Sequence, residues 1–98
     1  MAEIKVSLVS DDNDEYIYDV EVAEGGSATE HRVTLAFDYY ETVTSEEIDP
    51  DEFVKQSFEF LLSKEPKEAI LGEFDIEEIS QHFPDFEDEV LNSEQWKK

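Results

Sequence analysis

The sequence predicts an α+β fold. A three-stranded antiparallel β-meander over about residues 2–40 is covered on one face by a helix over about 50–64 and by two or three short helices over about 66–92. Three observations predict this. Apolar and polar residues alternate in three separate runs within the first forty residues. A helix-start signal, Asp49-Pro50, follows them. Large apolar side chains then crowd the most acidic half of the chain, in FEFLLSKEPKEAILGEFDIEEISQHFP at 58–84.

The strands come first. In EIKVSLVS, Ile4, Val6 and Leu8 share one side. In EYIYDVEVA, Tyr16, Tyr18, Val20 and Val22 do the same. In HRVTLAFDYY, His31, Val33, Leu35, Phe37 and Tyr39 oppose Arg32, Thr34, Ala36 and Asp38. Period two with β-branched and aromatic enrichment is the signature of a half-buried strand. The connecting runs DDND and EGGSAT carry turn chemistry, and connections this short favour antiparallel neighbours. A three-stranded sheet needs a cover.

The second half supplies the cover. Asp49 stands at an N-cap, Pro50 at the first helical position, and Asp51 and Glu52 in the first turn. Phe53, Val54, Phe58, Phe60, Leu61 and Leu62 spread over roughly 200° of the helical wheel, wider than a one-sided surface helix. This breadth predicts the sheet on one side and the later helices, or a dimer contact, on the other. Pro66 restarts the chain, with Ala69, Ile70 and Leu71 in a short helical turn that Gly72 ends. Asp75-Ile76-Glu77-Glu78 repeats the acidic start and opens a helix carrying Ile79 and Phe83. Pro84 stops it, and Phe86 and Val90 at i, i+4 mark the last helix. Residues 93–98 read as a frayed tail.

Ninety-eight residues make a single small domain over 1–98. There is no cysteine, hence no disulfide framework and no thiolate metal site. MAEIKVSLVSDD lacks the apolar stretch of a signal peptide, and no run is long enough to span a membrane. The expectation is a soluble, cytoplasmic protein. Twenty-eight acids against seven bases give a formal net charge of −21. Such a field repels nucleic acid and anionic lipid, which excludes direct binding to either and permits a basic protein partner. Eight of the 28 acids lie at predicted helix starts, where they complement the helix dipole; twenty remain against seven bases.

The chemistry-bearing residues point away from catalysis. An EF-hand loop opening at Asp11 requires Gly at its sixth position and Glu at its twelfth, and those positions hold Tyr16 and Val22. DDNDE is therefore a solvated turn, and no metal site is expected. His31 and His82 have no ligand spacing; His31 reads as a sheet-face residue and His82 as a helix-end residue. There is no G-x-S-x-G and no glycine-rich phosphate loop, and the bases are too few to clamp a phosphate. No catalytic residue, metal ligand or cofactor is expected. The candidate partner surface is Glu65, Tyr39, Tyr40 and Trp96, with Phe53 and Phe60 as further aromatic candidates whose default place is the core.

Ser57, Phe58, Phe60, Leu61, Leu62, Glu65, Pro66, Ile70, Leu71, Phe74, Asp75, Ile79, Phe83 and Pro84 form an F-x-F-L-L-x-x-E-P-x-x-x-I-L-x-x-F-D-I-x-x-I-x-x-x-F-P phrase. This phrase resembles that of small uncharacterised bacterial and archaeal proteins in which a β-hairpin or meander precedes it. The resemblance covers about 36 residues, Asp49 to Pro84, and departs at Lys64 and Gly72, where that family often has Arg. It implies architecture and no activity. Within the phrase Glu65 stands apart, because packing alone does not demand an acid before Pro66. Three readings follow: a non-catalytic protein-interaction module, monomeric or homodimeric, that meets a basic partner; an acidic protein of a high-salt cytoplasm; and a nucleic-acid mimic that blocks a basic nucleic-acid-binding protein.

Overall fold

The computed structural model describes residues 2–44 and 48–91. Strands β1 (Glu3–Ser10), β2 (Glu15–Glu24) and β3 (Ser27–Ala36) run antiparallel as consecutive neighbours. Both hairpin turns meet their backbone demand locally. Gly25 and Gly26 have φ of 64° and 84°, the left-handed pair that matches the twist of a two-residue hairpin. Asn13 and Asp14 adopt φ of 59° and 62° in the first turn, a region these two residue types tolerate. Pairing of β1 with β2 is regular from Glu3 to Leu8 and then breaks, with a bulge between Leu8 and Ser10.

The meander is not the whole sheet. A fourth strand, β4 (Glu73–Asp75), adds parallel to β3, giving a mixed sheet in the order β1-β2-β3-β4. The Arg32 N–H donates to the Gly72 carbonyl at 2.7 Å and the Ile76 N–H to the Thr34 carbonyl at 2.8 Å. A parallel neighbour requires a long crossover. Helices α1 (Phe37–Thr44) and α2 (Pro50–Lys64) provide it. Helix α1 also corrects the predicted strand end, because the chain leaves the sheet at Ala36 rather than at Tyr40. The Phe37 N–H turns back to the Asp14 carbonyl at 3.0 Å, and Tyr40 and Thr44, at i, i+4, become the buried positions of a helix.

Helix α2 follows the predicted bounds. Asp49 is its N-cap residue, and the Phe53 N–H donates to the Asp49 carbonyl at 2.9 Å. It stops where Glu65 becomes extended ahead of Pro66, the conformation a residue before proline prefers. A single 3₁₀ turn, Lys67–Ala69, stands slightly ahead of the predicted turn at 69–71. Helices α3 (Glu77–His82) and α4 (Phe86–Leu91) complete the described chain. At the start of α3 the predicted acidic cap is one residue further out than the cap position, yet the Asp75 Oδ1 still accepts the Glu77 N–H at 3.0 Å.

All helices serve one core. Val20 and Leu35 from the sheet share it with Phe58 and Leu61 of α2, and Leu62 packs against its margin. The breadth of apolar residues on α2 has the predicted physical basis. On one flank Phe58 lies 5.3 Å from the His31 ring and 5.9 Å from the Phe74 ring, centroid to centroid. On the other, Phe60 lies 5.6 Å from Phe83 and 5.3 Å from Phe86. The opposite sheet face stays polar. There the Arg32 guanidinium grips Asp19 at 2.8 and 3.0 Å and holds its carboxyl below the usual aspartate range.

Candidate functional site

An apolar-walled concavity forms where three segments converge: the end of α2, the chain between the 3₁₀ turn and β4, and α3. It is a cleft of about 310 Å³. Leu61, Ile70, Phe74, Ile79 and Phe83 form its apolar wall. Leu71 stands at the cleft with 61% of its surface exposed, although the phrase around it otherwise buries its large residues. Glu65, Glu78 and His82 supply the polar rim. This volume is at the small end of ligand-binding clefts, large enough for one or two apolar side chains.

Local structure explains each position. Glu65 is the C-cap residue of α2, its N–H bonded to the Leu61 carbonyl at 2.9 Å. An acid there faces the negative end of the helix dipole, a placement that works against the helix by roughly 0.3–1 kcal/mol. Among the described residues, no hydrogen bond or ion pair engages the Glu65 carboxylate. Glu78 lies in the first turn of α3, where its Oε2 accepts the Asp75 N–H at 3.3 Å. His82 lies in the last turn of α3, the end that favours a cation.

Leu71 is presented by a tie to the sheet. The buried His31 ring donates from Nδ1 to the Leu71 carbonyl at 2.7 Å. Its Nε2 lies 2.8 Å from the Thr29 hydroxyl, from which it accepts in the neutral ring. His31 is thus fully engaged in positioning backbone. Its place on the inner sheet face follows from the alternation; its reach to residue 71 does not. Beyond Glu65 the chain carries Lys67, which is buried and donates to the Glu68 Oε2 at 2.6 Å. That ammonium holds the Glu68 carboxyl below the ordinary glutamate range.

Of the described residues in the predicted partner surface, Glu65 alone lines the cleft. Tyr40 is buried and donates its hydroxyl to the Ile48 carbonyl. Tyr39 is half-buried and donates to the Glu87 Oε2 at 2.8 Å, tying α1 to α4. Burial first, and the Glu87 carboxylate second, push its phenol pKa up. Phe53 and Phe60 lie in the core. Trp96 and the tail at 93–98 lie outside the described residues. Leu71 and Glu78 are not legible as cleft residues and His82 reads only as a helix-end residue, because the sequence announces neither the His31 tie to residue 71 nor the place of α3 beside the end of α2.

Chemically, the cleft offers an apolar wall beside two carboxylates and an imidazole. Among the described residues no group of three or more His, Asp or Glu could hold a metal ion. None of their helices is long and apolar enough to cross a membrane. No protein family, no curated protein and no solved structure matches the chain.

Proposed function

We propose that this protein is a non-catalytic interaction module that docks a basic segment of a partner protein. One large apolar side chain of the segment enters the cleft, and flanking Lys or Arg residues meet Glu65 and Glu78. The observation that carries this reading is Glu65 itself: a carboxylate at the unfavourable end of α2, without a partner among the described residues, beside an apolar wall and the exposed Leu71. The net charge of −21 adds long-range attraction for a basic partner, which raises the association rate more than the affinity. The nucleic-acid mimic has less support. The acids of the open sheet face are interrupted by Lys5 and by Arg32, whose guanidinium already neutralises Asp19.

Calorimetric titration with two synthetic peptides of equal positive charge tests the proposal. One carries a central leucine between lysines; the other has serine in its place. The leucine peptide binds at least tenfold more tightly, with a negative heat-capacity change from apolar burial. Leu71→Ser and Glu65→Gln each weaken it several-fold. Equal affinities for the two peptides, unaffected by either substitution, would remove the proposal.

A further inference from the structure

Away from the cleft, the sheet ends in β1, which pairs with β2 on one side only among the described residues. Its regular portion presents a row of outward N–H and C=O groups, the template on which another strand adds. Natural edges are blunted by proline, by charged side chains, by brevity or by a β-bulge, and the bulge of β1 lies past Leu8, at its C-terminal end, leaving Glu3 to Leu8 regular. Strand β1 has eight residues, no proline and one lysine. Leu8 and Val9, 53% and 46% exposed, are two of the three large hydrophobic residues left exposed among the described residues.

Charge selects the occupant. Strand β1 carries only Glu3 and Lys5 and is neutral, in a chain of net charge −21. The other sheet edge, β4, carries Glu73 and Asp75 in three residues. A basic partner is drawn to the acidic surfaces and has no electrostatic reason to prefer β1. A second copy of this chain is repelled at those surfaces and meets no net charge at β1.

We propose that two copies of this protein pair their β1 strands antiparallel about a two-fold axis at Val6, joining two four-stranded sheets into one. This register sets Ile4 opposite Leu8 of the second copy and Val6 opposite its counterpart, so that the inward apolar residues of the strand meet and Leu8 is covered. Moving the axis to Lys5 sets two lysines directly opposite each other, which is destabilising. Moving it to Ile4 leaves Leu8 and Val9 without partners. A slip by a single residue would put the apolar set of one strand against the polar face of the other. Because both copies carry −21, association strengthens with salt as the Debye length falls from about 10 Å at 0.1 M to about 3 Å at 1 M.

Sedimentation equilibrium of the full chain at 0.1 and 1 M potassium chloride tests this. The wild type shows a monomer–dimer equilibrium, with a dimer dissociation constant at least threefold lower at 1 M. Leu8→Lys raises that constant at least tenfold, whereas Leu71→Lys, at the cleft, leaves it unchanged. The absence of native cysteine allows a clean second measurement. Opposed residues of an antiparallel pair have Cα atoms about 4.5–5.5 Å apart, within disulfide reach. Val6→Cys therefore oxidises to a covalent dimer. Leu8→Cys, whose copies lie about 14 Å apart along the paired strands, does not. A wild type that stays monomeric at millimolar concentration in 1 M salt overturns the proposal. So does a dimer abolished by Leu71→Lys and indifferent to Leu8→Lys.

Discussion

Replacing Phe58 by alanine tests whether α2 holds the two halves of the chain together. The Phe58 side chain is 0% exposed, with its centroid 5.3 Å from His31 on β3 and 5.9 Å from Phe74 on β4. Truncation removes the buried ring and leaves a cavity between a helix and a sheet that close only partly around it. Such a change costs about 3–5 kcal/mol. At roughly 0.05–0.15 kcal/mol per residue, a chain of this length holds about 5–15 kcal/mol in total. The variant therefore loses at least about a fifth of its stability and, at the upper end of the cost, most of it. With a urea slope of about 2 kcal/mol per molar, typical of a small domain, the midpoint falls by about 2 M. Far-ultraviolet circular dichroism in urea reads this directly. Leu71→Ser is the internal control: its side chain is 61% exposed, and an exposed substitution changes stability by only about 0.5 kcal/mol or less. A Phe58→Ala midpoint close to that of the wild type, or no lower than that of Leu71→Ser, would refute the seating of α2 on the sheet.

Other consequences follow from single groups. Burial, as the largest cause, pushes the Tyr18 phenol pKa above its ordinary value. The folded state thus favours the neutral ring, and this stabilisation is intact below the unfolded tyrosine pKa near 10 and is lost as pH rises beyond it. Tyr18→Phe accordingly raises the midpoint of alkaline unfolding, followed by circular dichroism; an unchanged midpoint contradicts the burial. Asp19 titrates below ordinary aspartates because Arg32 binds it, and carboxyl NMR shows its pKa returning toward the usual range in Arg32→Ala. Substituting His31 by leucine frees the Leu71 carbonyl and the Thr29 hydroxyl and costs about 1–3 kcal/mol, read by urea unfolding. The melting temperature rises most with potassium chloride up to about 0.2 M as self-repulsion is screened, then only gradually as association tightens; a continued steep rise through the molar range would favour the high-salt reading of the acidity.

Much of this architecture is legible residue by residue. The hairpins follow from the alternation in β2 and β3 and from Gly25-Gly26; α2 follows from Asp49-Pro50 and from the apolar breadth that both flanks consume. The errors share a cause, which is that local pattern is degenerate. FDYYETVT continues the period-two alternation into Tyr39, yet Tyr40 and Thr44 also satisfy a helical spacing, and tertiary contacts decide for the helix. Strand β4 is three residues long, below the length at which periodicity carries a signal, and it exists because His31 and Arg32 bind the backbone at Leu71 and Gly72. Leu8 belongs to the apolar alternation but stands at an edge next to a bulge, so alternation alone overstates its burial. In the cleft, Glu65 was legible as an acid without a packing reason. Glu78 and His82 join it only through the fold-back of α3, and Leu71 only through the His31 tie to its carbonyl.

The most direct test of the interaction reading is a two-dimensional ¹⁵N–¹H NMR titration with the leucine-centred lysine peptide. Amide shifts concentrated at Leu61, Glu65, Ile70, Leu71, Ile79 and Phe83, and lost in Leu71→Ser, are the result expected. Shifts spread evenly over the acidic surface, or gathered on the open sheet face around Asp19 and Glu30, would mean that charge alone does the binding and that the cleft has no part in it.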